Sequence, residues 1–222
     1  MHGTTGSEEI FWIPMQSLMN KFRIVSFNLP PIIGVNELSQ GVHEILNRLK
    51  IKRIVLVGTS FGGYLAQFFS FKYQEMVQKL VLSNTFITTH LYNQKYKRLL
   101  TIEKLIPTFL IKRIMKRSLL SIEHAQTQEY LLIQFEHHLS KKTLMARLKS
   151  FITNEVLNKA PIDHILIIET SDDPLVPKKL QDELKEAYPK ASVKTFEKEA
   201  NHFPYLTKGD EYTQILMKFI QS

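Results

Sequence analysis

The spacing of apolar residues along this chain changes character several times, and each change predicts an element. Residues 54–57, Ile-Val-Leu-Val, form an unbroken aliphatic run, the pattern of a short strand buried on both faces. Behind it Tyr64, Leu65, Phe68 and Phe69 recur at helical spacing, so a helix follows at once and carries the chain to Lys72. Leu38, Val42, Ile45, Leu46 and Leu49 place an amphipathic helix over 35–50, with His43 and Glu44 on its surface. Residues 10–19 read as a helix and 22–27 as a strand, which Pro30 and Pro31 prevent from pairing further. Further strands are predicted at 80–83, 165–169 and 193–196, and a last helix at 210–220. From 88 to 157 the period is helical throughout and no strand candidate occurs. Pro107 separates two of the helices in that stretch.

Strands that alternate with helices predict an α/β protein with a mostly parallel sheet. The turn between the strand at 54–57 and its helix is Gly58-Thr59-Ser60-Phe61-Gly62, a G-x-S-x-G pattern in strand-turn-helix context. A nucleophile that projects beyond a sheet needs a sharply bent backbone, and Gly58 and Gly62 leave room where a Cβ would collide. Ser60 then stands at a helix N-terminus, which favours developing negative charge, and the Phe61 N–H can serve an oxyanion. Glycine-rich turns also bind phosphate, but there is no G-K-[ST] and no G-x-G-x-x-G here.

Bulk composition changes this picture little. The chain has 222 residues, 44% hydrophobic and 23% charged, as in an ordinary globular domain. It has no cysteine, which excludes disulfides and thiolate metal sites, and no apolar run long enough to span a membrane. Lys+Arg 29 against Asp+Glu 21 gives a net charge of +8, which favours anionic surfaces. No nucleic-acid motif accompanies that charge, so nucleic acid is not expected as a partner. His124, His137 and His138 lack metal-ligand spacing and read as surface or pocket-edge residues. Tyr130, Leu131, Leu132, Ile133 and Phe135 read as core.

Two later loops complete a chemical pattern. The strand at 165–169 runs into Asp172-Asp173-Pro174-Leu175-Val176-Pro177, and the last strand is followed by Asn201-His202-Phe203-Pro204. Ser60, Asp173 and His202 stand in the order serine, acid, histidine, as in G-x-S-x-G hydrolases. These motifs resemble the α/β-hydrolase superfamily over nearly the whole chain. The resemblance selects Asp173 as the acid through its D-P-L-V-P turn and leaves Asp172 a turn residue. It also implies a sheet with helices on both faces, and no cofactor or metal. VGTSFGGYLAQFF, LVLSNTFI, AYPKA and NHFPYL are similar, more narrowly, to the maspardin-like branch. That branch implies a non-catalytic binding or adaptor protein of the cytosol and endosomal membranes, in vesicle traffic. His202 and the Asp173 turn depart from that branch and favour a serine hydrolase acting on an ester or related acyl substrate. Its roles would be Ser60 as nucleophile, His202 as general base, and Asp173 fixing the imidazole.

The resemblance bears on both ends of the domain layout. His2-Gly3-Thr4 resembles the superfamily's oxyanion loop, which makes the Thr4 N–H the second oxyanion donor beside that of Phe61. In the superfamily that loop follows a central strand, and nothing precedes Met1 here. The N-terminal strands are therefore expected to be missing, with the absent strand lying between 22–27 and 54–57. Its loss would forfeit on the order of 10 kcal/mol of ladder bonds. The expected layout is a core at 1–87, a helical cap at 88–157 and the rest of the core at 158–222. Lys95, Lys97, Arg98, Lys104, Lys112, Arg113, Lys116 and Arg117 make the cap basic. Its interleaved residues, Leu99 to Met115, are expected to line a substrate pocket, and a protein partner or anionic membrane is the alternative. A cytoplasmic location, peripheral on endosomal membranes in that alternative, goes with this reading.

Overall fold

The computed structural model describes residues 1–102, 105–110, 113, 116–117, 124–152, 157–171 and 173–222. In chain order the elements are α1 (Trp12–Leu18), α2 (Val35–Arg48), β1 (Ile54–Thr59), α3 (Phe61–Lys72), β2 (Val77–Ser83), α4 (His90–Ile102), α5 (Ala125–His138), α6 (Lys141–Ile152), β3 (Ile165–Thr170), α7 (Lys178–Ala187), β4 (Ser192–Phe196), α8 (Pro204–Thr207) and α9 (Gly209–Gln221). The four strands form one sheet in the order β1-β2-β3-β4, every neighbouring pair parallel. Parallel neighbours need crossover connections, and α3, α4 to α6, and α7 supply them. The α/β architecture read from the sequence is therefore the one observed.

All strands point the same way, so their C-terminal ends lie along a single edge. Leu80, Val81, Leu82, Ile167 and Ile168 are wholly buried in the two central strands, which explains their unbroken apolar runs. Against them packs α3, whose Phe61, Tyr64, Leu65, Ala66 and Phe69 are also wholly buried.

Two expectations are corrected here. Residues 22–27 do not form a strand, although Phe22, Ile24 and Phe27 pack against the core. A strand needs a hydrogen-bonded neighbour, and on the outer edge of β1 the bonding is with Met1 instead. Its amino group donates to the Val57 carbonyl, and the Thr59 N–H donates to the Met1 carbonyl at 3.1 Å. The apolar residues expected to line a pocket between 99 and 115 do not uniformly turn inward either. Ile102 is 49% exposed, Leu105 82%, Phe109 71% and Leu110 40%. Helix α4 buries no residue completely, since its lysines and arginine leave too narrow an apolar stripe to seat it. Ile111, Ile114, Met115, Lys104, Lys112 and Asp172 lie outside the described residues.

The remaining side-residue readings divide. Leu131 and Phe135 are core, while Ile133 is 49% exposed. His124 caps α5 by accepting the Thr127 N–H, and His43 stacks on Tyr73 with ring centroids 4.1 Å apart. Helix α7 has no counterpart in the sequence reading, although Leu180 and Leu184 give it a buried stripe.

The β1–α3 junction is closed by backbone against backbone. A Cβ on Gly58 would lie 2.4 Å from the Gly62 carbonyl oxygen, and one on Gly63 would lie 2.6 Å from the Thr85 Cβ. Gly58→Ala is expected to lower the unfolding free energy by about 2–3 kcal/mol, read from urea denaturation. Gly41→Ala, where a Cβ on α2 meets nothing within 4 Å, should instead stabilise by up to ~1 kcal/mol.

Candidate active site

Ser60 joins β1 to α3 with φ 53° and ψ −125°, a left-handed backbone that a non-glycine residue adopts only when its surroundings enforce it. The enforcement is visible. Its N–H donates to the Ser83 carbonyl at 3.1 Å, while its own carbonyl accepts from Gly63 N, Tyr64 N and the Thr85 hydroxyl. Positive φ recurs at Asn84, just past β2, and at Asn201, just before His202, so three strand-end loops bend sharply along this edge.

Asp173 follows β3 and His202 follows β4, and their side chains meet. His202 Nδ1 lies 2.8 Å from Asp173 Oδ2 and 3.0 Å from Oδ1, with His202 3% and Asp173 6% exposed. The Asn84 amide donates to Oδ2 at 2.8 Å, and the Leu175 and Val176 N–H groups donate to Oδ1 at 2.8 and 3.0 Å. Burial by itself would raise this carboxyl's pKa. The His202 ring, the Asn84 amide and the Leu175 N–H outweigh burial and hold it below the ordinary 3.8. An ionised Asp173 accepts the Nδ1 proton and leaves Nε2 as the basic nitrogen of His202.

The 2–6 loop lies against the serine. A Cβ on Gly3 would come 3.1 Å from the Ser60 Cβ and 3.6 Å from its Oγ. A Cβ on Gly62 would come 2.3 Å from the Met1 carbonyl oxygen and 2.5 Å from that of His2. The His2 ring is buried and neutral, its pKa lowered first by burial and then by Arg147. Because the Leu29 N–H donates to Nε2 at 3.0 Å, the ring proton sits on Nδ1 and donates to the Gly3 carbonyl at 2.8 Å. Phe61 opens α3 beside Ser60, and the Thr4 carbonyl is held by Arg147.

The structure thus brings Asp173 and His202 into contact and sets Ser60, Phe61 and the 2–6 loop side by side. The sequence reading missed Asn84, Arg147 and the His2 side chain. Asn84 directly after a strand was the available signal, since asparagine tolerates positive φ. Arg147 gave none beyond being an arginine among the apolar positions Leu144, Met145 and Leu148. Among the described residues no group of three or more His, Cys, Asp or Glu could hold a metal ion. Among the same residues no helix is long and apolar enough to cross a membrane.

The sequence pattern of the Ndr family matches residues 25–167, more than half of the chain. The chain belongs to the Ndr family. The matched span includes Ser60 and stops short of Asp173 and His202. Maspardin of Danio rerio is 26% identical to this Ndr-family chain over 96% of its length and 71% of maspardin's. Among solved structures, a thermophilic esterase from Thermogutta terrifontis superposes with a TM-score of 0.85 at 16% identity, over 99% of this chain and 87% of the esterase. An enol-lactonase from Burkholderia xenovorans LB400 superposes at 0.83 and 15% identity, over 100% and 89%. At such identities the likeness establishes the α/β-hydrolase fold and nothing finer.

The bonds to Asp173 predict a contribution to stability that depends on pH. Its folded pKa is depressed, so on acidification the unfolded chain takes up the proton first. The contribution is therefore complete above the ordinary value of 3.8 and is lost as pH falls through the lower folded value. Asp173→Asn is expected to destabilise by about 3 kcal/mol or more at neutral pH. In urea melts that deficit should stay constant down to about pH 5 and shrink below it. A deficit that grows on acidification would contradict the assignment.

Proposed function

We propose that this protein is a serine hydrolase acting on an ester or related acyl substrate. The observation that carries the reading is the buried bond between His202 Nδ1 and the Asp173 carboxylate, at the sheet edge where Ser60 makes its sharp turn. In the reaction His202 Nε2 takes the Ser60 proton as Oγ attacks the acyl carbon, forming a tetrahedral oxyanion. The Phe61 and Thr4 N–H groups donate to that oxyanion. Collapse expels the alcohol, which receives the proton from His202, and water then releases the acid by the same steps in reverse order. Asp173 holds the ring in the required tautomer and stabilises its charged form. The closeness of Gly3 to Ser60 supports the loop's part in this scheme, since a Cβ on Gly3 would come 3.6 Å from the Ser60 Oγ.

A fluorophosphonate probe tests the reading directly, since its phosphorus is attacked by an activated serine with loss of fluoride. Wild-type protein is expected to label and Ser60→Ala to remain unlabelled. Turnover of a p-nitrophenyl ester should fall on the order of 10⁴-fold in the same variant. A loss below about tenfold would remove Ser60 from the nucleophile role.

One observation favours a second reading, an adaptor that docks on anionic membrane. Ile102, Leu105 and Phe109 are exposed in the same part of the cap as exposed Lys95, Lys97, Arg98 and Arg113. The relationship to maspardin accords with it, as does the resemblance to a branch placed in vesicle traffic. In this reading the protein sediments with phosphatidylserine liposomes and is released by salt. Equal recovery with and without anionic lipid would dismiss it.

A further inference from the structure

We propose that Arg147 is a positioning residue for the hydrolase reaction, which holds the 2–6 loop from the cap so that the Thr4 N–H is aimed over Ser60. The inference rests on the serine hydrolase reading and adds a residue to it.

Arg147 projects from α6 and is 2% exposed. Its Nη1 donates to the Thr4 and Gly6 carbonyls at 2.9 Å each, and its Nη2 donates to the Leu29 carbonyl at 2.8 Å. Burial lowers its pKa to about 10, with Glu8 acting in the opposite direction, so the guanidinium stays charged at neutral pH. A leucine, as at positions 144 and 148, would fill an apolar seam with less desolvation. What the guanidinium supplies instead is three carbonyl contacts on two separate segments, which its planar fork can reach together.

Those contacts complete a circuit. Leu29 donates its N–H to His2 and accepts Arg147 at its carbonyl. His2 in turn fixes the Gly3 carbonyl, which also accepts the Gly6 N–H at 3.2 Å. The Gly3–Thr4 peptide is trans, so pinning the Gly3 carbonyl sends the Thr4 N–H the opposite way. Arg147 pins the next peptide through the Thr4 carbonyl. Both peptide planes that flank Thr4 are thus fixed, one by His2 within the loop and the other from the cap. Oxyanion stabilisation is most effective when its donors are held in place before charge develops, and Arg147 couples that condition to the seating of α6.

The test uses the full chain with Arg147→Met and Arg147→Lys, on a p-nitrophenyl ester and on the fluorophosphonate probe. In Arg147→Met, kcat and the labelling rate should fall about 100-fold, the size of losing one oxyanion donor, with KM changed by less than about twofold. Arg147→Lys keeps charge and stem and should fall between; it also serves if the methionine variant does not fold. Ser150→Ala is the control, because among the described residues the hydrogen bonds of the Ser150 hydroxyl join Ile32, Gly34 and Ala146 and not the 2–6 loop. It should keep wild-type rates. Wild-type labelling rates in both Arg147 variants would overturn the proposal, as would a change confined to KM or an equal loss in Ser150→Ala. Failure of wild-type protein to label would defeat the hydrolase reading and with it the role of Arg147 in the reaction. Hydrogen exchange in residues 2–6 then judges the clamp alone: faster exchange in Arg147→Lys upholds it, and unchanged exchange removes it.

Discussion

The close approach of backbone to backbone where β1 turns into α3 is the constraint from which the rest follows. Gly58, Gly62 and Gly63 each sit where a side chain would strike another segment's main chain or Thr85. Their bareness lets α3 lie flat on the sheet and forces Ser60 into a left-handed conformation. A backbone held that way costs of order 1–3 kcal/mol, and buried α3 side chains together with three donors on the Ser60 carbonyl offset it.

Parallel pairing sets the strand-end loops along one edge. Residues 60, 173 and 202 are far apart in sequence, yet each follows a strand that points the same way. The Ser60 N–H reaches across to Ser83, the Asn84 N–H to Ile168, and the Ser171 N–H to Phe196, so the ladder continues past the strand ends. Asn84 lies at the centre of that line. Its amide spans Thr170 and Asp173, linking the loop after β2 to the acid.

How much of this was legible in the sequence depends on the kind of signal. Strands β1, β2 and β3 announced themselves because burial on both faces demands unbroken apolar runs. Ser60 and Asp173 could be named as candidates because each stands just past such a run, and His202 because it completes the order serine, acid, histidine behind them. Residues 22–27 misled, since their composition suits a strand while pairing depends on a neighbour that composition does not describe. The exposed Leu105 and Phe109 misled in a different way: an apolar residue in a helix records which face could be buried, not which face is. Arg147 was illegible, because its partners are carbonyls, and carbonyls are common to every residue type.

The attachment of α6 at Arg147 is unusual in its electrostatics. One full charge meets three neutral dipoles; among the described residues no carboxylate is hydrogen-bonded to it, and Glu8 acts on it only through space. Dissolved ions weaken attraction between opposite charges over a Debye length of about 10 Å at 0.1 M, but they do little to contacts buried at 3 Å. Such contacts also fade steeply with separation, because a dipole's field decays faster than a charge's. The seam is thus little affected by ionic strength and sensitive to displacement of α6.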